Sequence, residues 1–425
     1  MSASYEWPIA VRGLDVGRPL QPLTGLSRYS RVRVFVSRAD FLIGSVDIWN
    51  RGADTISADR LRDAIAARLA AEIYAHELRQ RRHASDRHEV QPPCVVSIIV
   101  PTCERPADLR RCLLSLLAQR TRHHLEIIVV DNRPTSGTAA TVVREFPSVR
   151  LVREDRPGLS YARNTGIAHA TGTIVVATDD DVVAPEDWIE RLVDPFARPD
   201  VMAVTGHVVP LELETEAQCR FEAYGGLGKG FARFEFDRHW FRCHRTAVPT
   251  WRIGATANAA FRASIFTRPE IGLLDEALGA GTPTGCSEDT YLFYRILKAG
   301  HSIVYEPSAY VWHRHRESMA ALRAQIYAYS KGHVAYQLTT WMREGDRRAL
   351  LRLGLSLPKT YVGRAWERIR RRSDYPLRLV ALEVLGNLAG PIALWRSRRR
   401  VRRLGSSIRL LPERTDAVSL EGQAT

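Results

Sequence analysis

From Cys94 onward, short β-branched runs alternate with stretches of helical periodicity, and this alternation limits the fold more than any other feature of the chain. Residues 95–100 read as a buried strand stopped by Pro101. Pro106 opens a helix with Leu109, Leu113, Leu116 and Leu117 on one side. Residues 125–130 form a second strand running into Asp131, residues 138–146 a helix, and residues 149–152 a third strand. Ser160 reads as the cap of a helix reaching Ala170, and residues 174–177 as a strand. Pro185 reads as the start of the next helix, spanning 187–196, and residues 201–208 as a further strand. Repeated β-α units of this kind imply an α/β fold with a doubly wound, mainly parallel sheet. Ligands in such sheets sit beyond the carboxyl ends of the strands. Thr102, Glu104, Asp131 and the triplet Asp179-Asp180-Asp181 all fall at such ends.

Three consecutive carboxylates repel one another unless a cation neutralises them. Hard oxygen ligands suit Mg²⁺ or Mn²⁺, and either ion can hold a diphosphate. A solvated turn that caps the following helix accounts for the same three residues. No GxGxxG follows the first strand and no GxxxxGK[ST] occurs in the chain, which disfavours a dinucleotide oxidoreductase and a P-loop NTPase. A nucleotide would instead be held by side-chain carboxylates and a metal.

Five segments then follow one another in a telling order: VSIIVPTCERP (96–106), EIIVVDN (126–132), ARNTGIAHATG (162–172), the acidic triplet (179–181) and SEDTYL (287–292). In this order the sequence resembles glycosyltransferase family 2, over about residues 95–316. The resemblance implies a GT-A type sheet, a nucleotide-sugar donor, a Mg²⁺ or Mn²⁺ cofactor and inversion at the anomeric carbon. It implies that Thr102 and Glu104 contact base and ribose, that Asp131 binds the nucleobase edge, and that Arg163 and Asn164 line the donor site. Asp179 and Asp181 match the outer positions of the D-x-D motif, with Asp181 as direct metal ligand and Asp180 beside the donor. Asp131 as a turn residue and Asn164 as an exposed helix position remain the alternatives. The segment GATANAAFR (254–262) is similar to the one that precedes the family's catalytic loop, which puts Asn258 on the acceptor side. The glycine-rich stretch 279–285 could close over substrate. In SEDTYL the resemblance makes Asp289 the general base, because a sugar hydroxyl is a poor nucleophile until a carboxylate takes its proton. Glu288 becomes a supporting or acceptor-binding residue; both acids also suit a helix N-terminus on electrostatic grounds alone. Of the two histidines after the strand at 302–305, His313 fits the family's metal- or diphosphate-reaching position better than His315.

The flanks say less. Residues 1–93 read as a small α+β appendage: Val32, Val34 and Val36 alternate along one strand, 41–49 returns as a second, and Leu61, Ile65, Leu69 and Ile73 share a helix face. The charged run 76–83 and Pro92-Pro93 read as a linker, and packing on the catalytic unit (94–317) is its expected role. Residues 211–250 break the alternation and scatter aromatics among glycines, most simply to pack a loop. Residues 318–425 read as a helical, Arg-rich region. Twelve arginines between 364 and 403 bracket an apolar stretch, 379–395, that contains Glu383, Asn387 and Pro391. Those three make it a poor transmembrane span and suit an interfacial helix on anionic lipid; a hairpin packed on the catalytic unit is the alternative. The net charge of +14 points to a polyanionic partner. Six cysteines without a C-x-x-C pair read as reduced thiols, and residues 1–13 contain no apolar run, so a cytoplasmic protein without a signal peptide is expected. The expected role is sugar transfer to a carbohydrate or lipid-linked acceptor in polysaccharide or glycoconjugate synthesis. A metal-dependent nucleotidyltransferase and an Arg-rich nucleic-acid-binding protein are the rival readings.

Overall fold

The computed structural model describes residues 7–39, 41–85, 92–370 and 375–407. The chain opens with three strands, β1 (Ile9–Asp15), β2 (Arg31–Arg38) and β3 (Phe41–Trp49), and helix α1 (Ala58–Ser85). β2 pairs with β1 in parallel and with β3 antiparallel. Val32, Val34, Val36, Val46 and Ile48 meet Leu61, Ile65 and Leu69 of α1 in one buried cluster. At Gly44 a Cβ would come within 2.6 Å of Leu69, so the close seating of the helix on the sheet depends on that glycine. Two expectations change here. β1 is an additional strand, and α1 runs to Ser85 through the charged stretch that reads as linker. Charged residues with good helix propensity continue a helix in water as readily as they end one.

The central unit is built on β4 (Val95–Thr102), α2 (Pro106–Leu117), β5 (His124–Asp131), α3 (Thr138–Val143), β6 (Val149–Arg153), α4 (Leu159–His169) and β7 (Ile174–Thr178). β8 (Val182–Val183), α5 (Trp188–Val193), β9 (Val201–Pro210), α6 (Glu216–Tyr224), β10 (Phe234–Phe236) and α7 (Arg238–Cys243) follow. β11 (Asn258–Arg262), α8 (Glu288–Lys298) and β12 (Ser302–His313) complete it. The sheet runs β10-β12-β9-β11-β7-β4-β5-β6, with β8 paired to the end of β12. β4 is parallel to β5 and β7, β5 to β6, and β12 to β9, whereas β11 is inserted antiparallel between β7 and β9. The sheet is therefore the mainly parallel one expected. Two buried clusters cover its faces, one centred on Ile99, Val130 and Phe293, the other on Ile98, Val129 and Trp188.

Local signals erred at three places. Ser160 does not cap α4; Gly158 precedes it at φ 141°, and Ser160 Oγ instead donates to the Leu278 carbonyl. Pro185 does not open a helix, because residues 182–183 first pair with β12 and α5 begins at Trp188. β12 does not stop at Tyr305. A register shift between Glu306 and Val311 absorbs the extra residues and the strand continues to His313.

Helices α9 (Met319–Glu344), α10 (Arg348–Leu351), α11 (Leu357–Ile369) and α12 (Leu377–Leu404) close the described chain. Ser318 caps α9 by accepting from Ala321 N, as expected. α12 lies on α9, where Gly386 and Gly390 leave no room for a Cβ against Ser330 and Val334. Leu379, Val380, Ala393 and Leu394 are buried, while Leu377, Val384, Leu385, Leu388, Ile392 and Trp395 are exposed. Arg371 and Arg372 of the basic tract lie outside the described residues.

Candidate active site

The acidic triplet occupies the tight connection between β7 and β8. Because β8 pairs Val182 with His313 and Val183 with Trp312, the end of β12 is held directly across from it. Asp179, Asp181 and His313 thereby bring one ligand atom each within 4.8 Å of one another. Asp181 is buried; its Oδ2 accepts from Arg105 Nη1 at 2.5 Å, while Oδ1 accepts no hydrogen bond from any described residue. His313 Nε2 lies 3.3 Å from that oxygen without hydrogen-bond geometry. An unsatisfied buried carboxylate oxygen is costly, and two carboxylates with an imidazole form a donor set suited to a divalent cation. The residues present therefore fit the metal that the D-x-D resemblance implies. Burial pushes the Asp181 carboxyl up, but His313, Arg105 and Arg316 outweigh it and hold it below the usual carboxylate range. Asp180 differs. Its Oδ2 accepts from Thr102 Oγ1 at 2.7 Å and its Oδ1 from Arg105 at 3.2 Å, and burial, then the charge of Asp181, pushes it up to about 7.

Arg163 joins this group to the second acidic pair. Its side chain is 2% exposed, and it donates to Asp179 Oδ1 and to Glu288 Oε1, both at 2.8 Å. Burial and the charge of Asp289 push the Glu288 carboxyl up, and Arg163 opposes that. Asp289 is only partly buried; its Oδ1 accepts from Thr290 N at 2.6 Å and from Thr290 Oγ1 at 3.1 Å. Ser287, which turns the chain into α8, is held at φ 81°. Glu104, at φ 56°, is the other non-glycine residue of positive φ beside these groups. Such backbone is unfavourable for an L-residue and concentrates at functional sites. Glu104 is half-exposed and pairs with Arg133 at 2.8 Å, and the buried Asp131 accepts from Arg133 N at 3.0 Å. Both stand at the ends of β4 and β5, adjacent parallel strands.

Two residues do something other than the sequence suggests. Asn258 is 0% exposed: its amide donates to the His207 and Ala309 carbonyls at 2.9 and 2.7 Å, and its oxygen accepts from Trp188 Nε1 at 2.9 Å. It knits β11 to β9, β12 and α5 and presents no atom to an acceptor. Asn164 is not exposed, and both ends of its amide are engaged: it donates to Leu274 O and Glu276 Oε1 and accepts from Leu274 N. Glu288, expected to support the base or bind acceptor, is buried, with its Oε1 paired to Arg163 at 2.8 Å. The stretch 279–285 is tied down by Leu159 N to Ala280 O, Gly279 N to Cys286 O and Thr284 Oγ1 to Ala277 O.

The profile of the family described as glycosyl transferase family 2 matches residues 97–267. Residues 97–267 are thus a glycosyltransferase family 2 domain within the longer chain. Among curated proteins it is 26% identical over 267 residues to a pre-mycofactocin glycosyltransferase of Mycobacterium tuberculosis, covering 61% of this chain and 50% of that one. It is 25% identical over 249 residues to an N-acetylglucosaminyltransferase of Rhizobium meliloti, covering 56% and 55%. The chain thus spans about half the length of the curated relatives it matches. A mannosyltransferase of Pyrobaculum calidifontis, solved with GDP-Man and Mn²⁺, superposes with a TM-score of 0.41 at 20% identity, over 80% of this chain and 86% of that one.

Sequence reasoning overlooked Arg105, the cation seated on Asp180 and Asp181. It overlooked Lys229, whose ammonium burial pulls down while the nearby Asp289 opposes that. It also overlooked the roles of Glu222 and His315, which contact each other at 2.9 Å. For His315 a signal existed, since residues two apart at a strand end share a face. For Glu222, nearly a hundred residues upstream in a separate helix, there was none.

Proposed function

We propose that this chain transfers a sugar from a nucleotide-sugar to the hydroxyl of a carbohydrate or lipid-linked acceptor, with inversion, in polysaccharide or glycoconjugate synthesis. The reading rests on one observation above the others: Asp179, Asp181 and His313 converge on a buried carboxylate oxygen that has no hydrogen-bond donor among the described residues. These three residues would hold Mg²⁺ or Mn²⁺, and such an ion, when bound, neutralises the diphosphate that departs with the nucleoside. Thr102, Glu104 and Asp131, at neighbouring strand ends, bind the nucleoside. Arg163 sets Asp179 and Glu288 in place, and with them the first turn of α8. Asp289, the more exposed acid of the pair, takes the proton of the acceptor hydroxyl as the new bond forms. The printed names of the relatives, a glycosyltransferase and an N-acetylglucosaminyltransferase, agree with sugar transfer.

The C-terminal region brings this chemistry to a membrane surface on the cytoplasmic side. α12 is long and apolar, with one face packed on α9 through Gly386 and Gly390 and the other, carrying Leu385, Leu388 and Ile392, open. Val362 and Trp366 of α11 are exposed as well. Incubation with a panel of nucleotide-sugars and Mn²⁺ tests the reaction. Release of a nucleoside diphosphate supports sugar transfer, whereas release of pyrophosphate would replace it with nucleotidyl transfer.

A further inference from the structure

The two histidines at the end of β12 are linked to each other, and through α6 to the N-terminal sheet. His313 Nδ1 lies 3.0 Å from His315 Nδ1, and His315 Nε2 lies 2.9 Å from Glu222 Oε1. Glu222 Oε2 accepts from Arg33 Nη1 at 3.2 Å, while Arg33 Nε and Nη2 donate to Asp47 at 2.8 and 3.0 Å. The His315 side chain is wholly buried and packs edge-on to Phe221, ring centres 4.8 Å apart. Gly226, at φ +53°, makes room for the carboxylate: a Cβ there would stand 2.4 Å from Glu222 Oε1. Beside this chain, Phe35 of β2 meets the Trp312 ring edge-on at 5.3 Å, one residue before His313.

Hydrogen-bond direction follows from the chemistry of each group. A carboxylate only accepts, so His315 Nε2 carries a hydrogen. With His315 neutral, its Nδ1 is a bare lone pair, and only a hydrogen on His313 Nδ1 completes the 3.0 Å contact. His313 then presents a bare Nε2 toward Asp179 and Asp181, the form that can ligate a metal. Without the carboxylate the opposite direction is equally open, and His313 Nε2 would carry the hydrogen and donate it to Asp181.

We propose that Arg33, Glu222 and His315 are positioning residues that fix His313 in its metal-ligating tautomer, so that the N-terminal sheet supports the metal site. The inference rests on the metal reading above. Partners of this kind behind a ligating histidine orient the ring and raise its affinity for metal, and their loss typically weakens binding about 10- to 100-fold.

Glu222→Gln is the informative substitution, because it keeps the shape and reverses the bond. Arg33 holds the amide oxygen, which leaves the NH₂ facing His315. Mn²⁺ binding to the full-length protein, followed by electron paramagnetic resonance with UDP or GDP present, should weaken about tenfold or more, with the melting temperature little changed. Arg33→Met added to Glu222→Gln lets the amide turn over and should recover part of that loss. Arg33→Met alone, at the half-exposed end, should weaken Mn²⁺ several-fold and provides the test should the Gln variant not fold. Mn²⁺ affinity within about twofold of wild type in both Glu222→Gln and Arg33→Met would overturn the inference. Asp181→Ala separates the two levels. If it loses Mn²⁺ while the Glu222 and Arg33 variants do not, only the positioning role fails. If it binds Mn²⁺ like wild type, or wild type binds none with either nucleotide, the metal reading fails and takes this inference with it.

Discussion

Asp289 and Glu288 are neighbours in sequence and opposites in setting. Glu288 sits at 5% exposure against Arg163, while Asp289 keeps partial access and, among the described residues, accepts only from Thr290. A base must reach the hydroxyl it deprotonates, so Asp289→Asn should lower turnover on the order of 10²-fold while nucleoside diphosphate binding stays as in wild type. Steady-state rates beside a binding titration would check it. Turnover within about threefold of wild type would move the base elsewhere, and Glu288 would be next in line. At this scale the sequence was legible where a residue's place follows from a strand end, as for Asp131 at the end of β5 and Asp179 just after β7. It misled at Asn258 and Asn164, polar residues that looked available and are buried with both ends of the amide engaged. Whether a polar side chain faces a cleft or bridges two elements is decided by packing, which one chain of letters does not display.

Between elements, the parallel strands were readable because β-branched runs buried on both faces carry an unmistakable pattern. The antiparallel insertion of β11 and the continuation of β12 to His313 were not, since partner choice and register shifts are set by tertiary contact. Yet those two features, with β8, bring the histidine to the triplet. α12 illustrates the same division. Its apolar stretch was visible, but the glycines that seat it on α9 are meaningful only against their neighbours. A Cβ on Gly390 would stand 2.6 Å from Val334 Cβ. Gly390→Val should therefore overpack this contact and cost about 1–3 kcal/mol, seen as a lower denaturation midpoint in urea together with earlier proteolytic cleavage of the C-terminal region. A midpoint equal to wild type would show that α12 is not held on α9 in this way.

The whole molecule presents its apolar stripe and its free positive charge on the same C-terminal region. Some of the arginines there are already engaged: Arg364 with Glu383 at 2.5 Å and Arg398 with Asp275 at 2.6 Å. Arg378, Arg396, Arg399, Arg402 and Arg403 are exposed beside Leu388, Ile392 and Trp395. Basic residues near an anionic surface contribute about 1 kcal/mol each, screened by salt. The full-length protein should cosediment with phosphatidylglycerol vesicles at low salt, and both high salt and truncation after Pro358 should release it. A protein that stays in the supernatant at low salt would remove the membrane from the account. Calorimetric titration of UDP and GDP with and without Mn²⁺ tests most directly whether the triplet holds a cation for a nucleoside diphosphate. Wild type should bind one of them far more tightly with Mn²⁺, and folded Asp181→Ala should lose that dependence. Metal-dependent binding at wild-type strength in Asp181→Ala would contradict the claim and leave the triplet as a turn.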